Sequence, residues 1–156
     1  MKAYIPEFLR SGDTVAIVSP SGIVEKEPIM QSLNVFETWG LKVLIGKNVF
    51  NRDGIFAGSD LERADDINEM IENPEVKAIF CSRGGYGAAR MVNFINFDKL
   101  KENPKWIIGF SDVTVIHSAL RKIGLCSVHG VMPNSFSKTH EDSLSSLHKI
   151  LSGQPL

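Results

Sequence analysis

Trp106–Ile107–Ile108–Gly109–Phe110–Ser111–Asp112–Val113–Thr114 is the stretch whose reading decides the fold. A short apolar run ends in glycine, presents a serine, and passes at once into a helical pattern that continues to Lys122. The pattern predicts a buried strand, a sharp turn and a helix, with Ser111 at the carboxyl edge of a sheet. Such a turn holds a hydroxyl exposed, and the backbone N–H that follows it can stabilise an oxyanion. The α/β-hydrolase elbow reads G-x-S-x-G, and Val113 stands where its second glycine would be. The turn is therefore elbow-like without pointing to that superfamily. A serine that merely caps an ordinary helix is the competing reading, since Ser and Asp are common helix starters.

Upstream of this stretch the chain alternates strand-like and helix-like segments. Thr14–Val18 is a continuous apolar run, as in a central parallel strand covered on both faces. It ends in the turn Ser19–Pro20–Ser21–Gly22. Pro28 suits a first helical turn, and Ile29, Leu33 and Phe36 recur at helical spacing up to Gly40. Leu41–Ile45 reads as a second strand and 46–58 as an irregular loop. Ser59 or Asp60 then caps a helix through Ile71, which Asn73–Pro74 stops. Val76–Cys81 is the third strand. It breaks into Ser82–Arg83–Gly84–Gly85–Tyr86–Gly87, followed by a short helical segment over 88–93 and a connector over 94–104 in which Phe97 and Leu100 pack down.

Downstream, Gly124 separates the focal helix from a fifth strand, Leu125–His129. A loop at 130–134 and a last helix over Asp142–Leu151 follow. The alternating order predicts an α/β domain with a parallel sheet of about five strands and helices on both faces. Residues 1–151 form that domain, and 152–156 read as a linker.

Composition narrows the function classes. The 156 residues are 43% hydrophobic and 22% charged, with a net charge of −1. That balance argues against a basic nucleic-acid surface. No apolar run has the length of a signal peptide or a bilayer span, so a cytoplasmic protein without membrane contact is expected. Cys81 and Cys126 read as small buried residues of a reducing compartment. No His/Cys/Asp/Glu group has metal-ligand spacing, and neither metal nor cofactor is expected.

Two loops at carboxyl ends of strands carry the candidate chemistry, Arg83–Gly87 and the turn at Ser111. Adjacent glycines let backbone N–H groups approach an anion or a developing oxyanion. A dinucleotide fingerprint over Gly85–Arg90 is disfavoured, because Arg90 occupies its third glycine position and the motif belongs after the first strand. His129 shares a sheet edge with Ser111 and is the only local candidate base, with a structural, loop-bonded histidine the favoured reading. His117 is expected to face helix neighbours, and His140 and His148 to be solvated. Asp112 suits a cap or dipole role at the helix N-terminus. A non-catalytic module that holds an anion such as phosphate at these loops is the rival from another class.

Taken together, Val18–Gly22, Phe56–Asp60 with Arg63–Asp66, Arg83–Gly87, Ile108–Thr114 and His129–Gly130 resemble the LD-carboxypeptidase family of serine peptidases. That family includes murein tetrapeptide carboxypeptidases and microcin C self-immunity proteins. The resemblance implies a flavodoxin-like, three-layer N-terminal domain followed by a C-terminal domain, with the active site between them. It implies that Ser111 is the nucleophile and that the N–H groups of Asp112 and Gly85 form the oxyanion hole. Gly84, Tyr86 and Gly87 become substrate-loop candidates. Ala88 departs from the family's frequent hydroxyl residue there. The Glu and His that complete the triad are expected in a C-terminal domain that follows residue 156. The position of His129 is not that of the family's catalytic histidine. The implied substrate is a small peptide or muropeptide, cut at an L,D bond to release a terminal D-amino acid in peptidoglycan recycling, or else a peptidyl or aminoacyl nucleotide. Without a partner domain, Tyr86 and Phe110 should stand uncovered or be buried by a second copy, and a homodimer is expected.

Overall fold

A computed structural model describes residues 3–156. Five parallel strands, β1 (Thr14–Val18), β2 (Lys42–Ile45), β3 (Val76–Cys81), β4 (Trp106–Gly109) and β5 (Val128–His129), lie in the order β2-β1-β3-β4-β5. This is the flavodoxin-like order, whose direction reverses between β1 and β3 and opens a crevice at their carboxyl ends. The helices are α1 (Lys26–Thr38), α2 (Asp60–Glu72), α3 (Ala88–Met91), α4 (Phe97–Glu102), α5 (Thr114–Lys122) and α6 (Glu141–Ser152).

The strands bury both faces, so neighbouring residues belong to different cores. Ala16, Val18, Ile79, Cys81 and Ile107 pack under α2, α3, α4 and α5 through Ile67, Met91, Leu100 and Ile116. Val15, Ile17, Phe80 and Ile108 pack under α1 and α6 through Ile29, Phe36, Leu147 and Leu151, with Phe136 of a 3₁₀ turn (Pro133–Lys138) filling the gap. This period-two division into two apolar faces is why the strands read as unbroken apolar runs.

Several expectations are corrected. The connector over 94–104 contains α4, capped by the Asn96 side chain, which accepts from the Lys99 N–H. The fifth strand is confined to Val128–His129, because Gly124, Leu125 and Cys126 pair instead with the N-terminal segment: Tyr4 N–H donates to Gly124 O and Cys126 N–H to Tyr4 O, both at 2.8 Å. Helix α6 runs to Ser152, one residue into the stretch read as linker, and closes on Gly153 at φ 71°. Cys81 is buried, and burial pushes its thiol up to about 12; Cys126 is only half-buried.

Ser59 is the cap of α2. It shares a capping box with Glu62, whose side chain accepts from the Ser59 N–H at 2.8 Å. The loop before it is held by buried Asp66, which accepts from the Asn48 backbone and side chain at 3.0 and 2.9 Å. Burial nonetheless raises the Asp66 carboxyl above its ordinary range. Among the described residues no helix is long and apolar enough to cross a membrane.

Candidate active site

Ser111 leaves the end of β4 with φ 62°, the only non-glycine residue among those described that adopts a positive φ. Phe110, before it, is fully extended, and the chain then makes a 3₁₀ turn over Ser111–Val113 into α5. The N–H groups that follow go to backbone carbonyls, Val113 to Phe110 O and Thr114 to Ser111 O, and not to the Ser111 hydroxyl. Ser111 therefore does not behave as an N-cap, whose backbone is extended and whose oxygen accepts from the next turn. The strand-to-helix elbow predicted from the sequence is present, and the serine is exposed at its tip.

Three contacts hold this turn. The Gly109 carbonyl accepts from Gly130 N–H at 3.2 Å and from His117 Nε2 at 2.8 Å. Because a carbonyl only accepts, His117 carries its proton on Nε2 and accepts a hydrogen bond from the Ser127 hydroxyl at Nδ1, 2.8 Å away. Burial pushes the imidazole below its usual range, in keeping with this neutral form. His117 thus pins α5 to the sheet edge rather than facing helix neighbours. The Asp112 carboxylate accepts from Ala88 N–H at 2.8 Å. It has the cap role expected of it, but for α3, at the far end of the glycine loop.

The glycine loop is pressed against the serine. A Cβ on Gly84 would lie 3.0 Å from Ser111 Cβ and 3.1 Å from its Oγ, so a side chain there would displace the hydroxyl. The Gly84 carbonyl turns away and accepts from Gly22 N–H at 3.1 Å. In a trans peptide this sends the Gly85 N–H the opposite way. Gly85 itself has φ 114°, open to glycine and strained for other residues. Neither Gly85 N–H nor Asp112 N–H has a protein acceptor among the described residues. Two free donors beside an exposed hydroxyl are what an oxyanion site requires.

Around this centre the aromatic side chains are open. Tyr86 is 59% and Phe110 38% exposed, as expected of an uncovered carboxyl edge. Tyr86 lies 6.0 Å from Phe56, which is also faced by the guanidinium groups of Arg63 at 5.2 Å and Arg90 at 4.8 Å. Arg63 is buried, donates to the carbonyls of Pro20 and Gly58, and pairs with Asp60. Gly87 must stay side-chain-free, because a Cβ would reach Arg63 and Phe56 within 2.8 Å. Sequence reading missed this cluster: its members lie up to 34 positions apart (56 to 90), and no local pattern joins them.

His129 is exposed, with its ring 6.0 Å from those of Phe110 and His117, and it makes no hydrogen bond to Ser111. His140 is exposed and caps α6, whereas His148 is half-buried and stacked on Trp39 at 4.9 Å rather than solvated. Among the described residues no group of three or more His, Cys, Asp or Glu is placed to hold a metal ion.

Comparison with known proteins matches residues 15–130 to the LD-carboxypeptidase N-terminal domain. A Bacillus subtilis relative named "Probable murein peptide carboxypeptidase" is 38% identical over 130 residues, 83% of this chain and 41% of its own. The murein tetrapeptide carboxypeptidase of Pseudomonas aeruginosa is 28% identical over 144 residues, 87% of this chain and 47% of that one. The crystal structure of an MccF-like protein from Bacillus anthracis superposes with a TM-score of 0.89 at 28% identity, covering 96% of this chain and 47% of the other. The chain spans about half the length of the curated relatives it matches.

Proposed function

The chain belongs to the LD-carboxypeptidase family, and on that premise we propose that it carries the nucleophile of a serine carboxypeptidase acting on cytoplasmic muropeptides in peptidoglycan recycling. Its substrate bond is the L,D linkage to a terminal D-amino acid. Ser111 Oγ attacks the carbonyl carbon, and the oxygen that becomes negative lies between the Gly85 and Asp112 N–H groups. Collapse of this intermediate breaks the C–N bond, and the leaving amine takes the proton. Water then hydrolyses the acyl–serine ester. No metal or cofactor is needed for these steps. The base and its orienting carboxylate are the family's His and Glu, assigned by the resemblance to a C-terminal domain.

The observation that supports this reading most is the left-handed backbone of Ser111, which holds an exposed hydroxyl beside two unpartnered N–H groups. The test uses the protein together with whatever its reading frame encodes beyond Leu156. A fluorophosphonate probe should label Ser111, and an L,D-linked muropeptide should be cleaved, both lost in Ser111→Ala. Reversible anion binding without labelling would instead support the non-catalytic module. The likeness to the microcin C7 self-immunity protein MccF, solved in complex with aspartyl sulfamoyl adenosine (TM-score 0.88, 27% identity), supports a second substrate class, a peptidyl or aminoacyl nucleotide. Faster turnover of such a nucleotide than of the muropeptide would establish it.

A further inference from the structure

A carboxypeptidase must tell a chain end from an interior peptide bond. The physical difference is one negative charge, placed one residue beyond the scissile carbonyl. A cation near the nucleophile makes that distinction only if no protein carboxylate already neutralises it.

Three arginines flank the glycine loop, and two are spoken for. Arg63 is buried and paired with Asp60. Arg90 bonds to the same carboxylate at 3.0 Å, and this contact holds the Asp60 carboxyl below its ordinary range. Arg83 is exposed and has no acidic partner among the described residues. Its single bond runs from Nη1 to the Ile23 carbonyl at 2.8 Å. That bond orients the guanidinium without cancelling its charge. It also leaves free the Nε–Nη2 edge, which takes a carboxylate through two parallel N–H bonds.

The placement fits the chemistry. Arg83 directly precedes Gly84, which faces the Ser111 hydroxyl. Its guanidinium is fastened to the loop after β1, whereas Ser111 follows β4, so the glycine loop lies between charge and nucleophile. We propose that Arg83 binds the free α-carboxylate of the departing residue and so restricts the site to single C-terminal residues. This deepens the peptidase reading and rests on it.

The test is an NMR titration of the 156-residue chain with N-acetyl-D-alanine, whose acetyl carbonyl stands for the scissile one, and with its carboxamide. The acid should shift the Arg83 Nε and the Gly84 and Gly85 amide signals, and the amide should leave them in place. Arg83→Gln keeps a donor for Ile23 but loses the charge, and should weaken acid binding about 10- to 100-fold. Arg83→Lys should retain part of the acid-over-amide preference. Equal shifts with acid and amide, unchanged affinity in Arg83→Gln, or no shift at these signals would each overturn the proposal. Such a failure beside intact labelling of Ser111 and intact L,D cleavage removes the Arg83 role alone. Acid-dependent shifts at Arg83 beside an unlabelled Ser111 sustain the carboxylate site and remove the peptidase reading.

Discussion

Ser111 keeps its Cβ in a backbone region that costs an L-residue about 1–2 kcal/mol. It persists there because the residues on either side leave it no freedom: the Gly109 carbonyl is held by two donors, and Asp112 is tied to Ala88. Replacement by glycine relieves the strain, whereas alanine keeps it. Ser111→Gly should therefore unfold in urea with about 1 kcal/mol more stability than Ser111→Ala; equal midpoints would show that the turn is relaxed. Gly84 imposes the complementary constraint. Gly84→Ala places a methyl group 3.0 Å from Ser111 Cβ and should cost about 1–3 kcal/mol. It should also slow probe labelling of Ser111 at least tenfold; labelling at the wild-type rate would mean that the loop has room to retreat.

Between elements, two side chains do the joining. Asp112 leaves the focal turn to cap α3, so the glycine loop and the serine turn are braced at both ends of one hydrogen bond. Asp112→Ala should cost about 1 kcal/mol, the ordinary worth of a cap, and Asp112→Asn less, because its amide oxygen still accepts. Calorimetry distinguishes the two. His117 joins α5, β4 and the segment before β5 as a neutral imidazole. Its ordinary value is 6.5 and burial lowers it in the folded state. Below pH 6.5 the unfolded chain therefore binds the extra proton first, and stability falls as pH drops toward the folded value. Half-buried His148 contributes in the same direction. His117→Gln should flatten this acid limb of a stability-versus-pH curve; an unchanged slope would show that His117 does not titrate against folding.

For the molecule as a whole, the carboxyl edge presents an exposed serine in a left-handed turn, two N–H groups without acceptors and exposed aromatics, and among the described residues no base is bonded to the serine. A neutral serine hydroxyl needs such a base. The 156-residue chain by itself should accordingly show only residual hydrolysis, on the scale of the roughly 10³–10⁴ over water that an oxyanion hole and binding retain without a triad. The comparison is with the protein extended to its relatives' length, with Ser111→Ala in each. If the short chain turned over at a similar rate and lost it in Ser111→Ala, His129 would become the base.

The sequence by itself determined the succession of the five strands and of every helix but α4, because burial on both faces leaves apolar runs and helix-facing residues recur every three to four positions. It also placed a serine turn between β4 and α5, since the residues that make it are neighbours in the chain, but left an elbow and a helix cap both open until the Ser111 backbone, at φ 62°, decided for the elbow. The shortening of β5 was decided elsewhere, when Tyr4 took the Gly124 carbonyl and the Cys126 N–H as its hydrogen-bond partners. Only the tertiary structure set Gly84 against Ser111, sent Asp112 to cap α3, gave His117 the Gly109 carbonyl and fastened Arg83 to the Ile23 carbonyl while Asp60 paired with Arg63 and Arg90. Each of these depends on which loops meet where the strand order reverses. That meeting is fixed by packing across the sheet, and local residue patterns do not encode it.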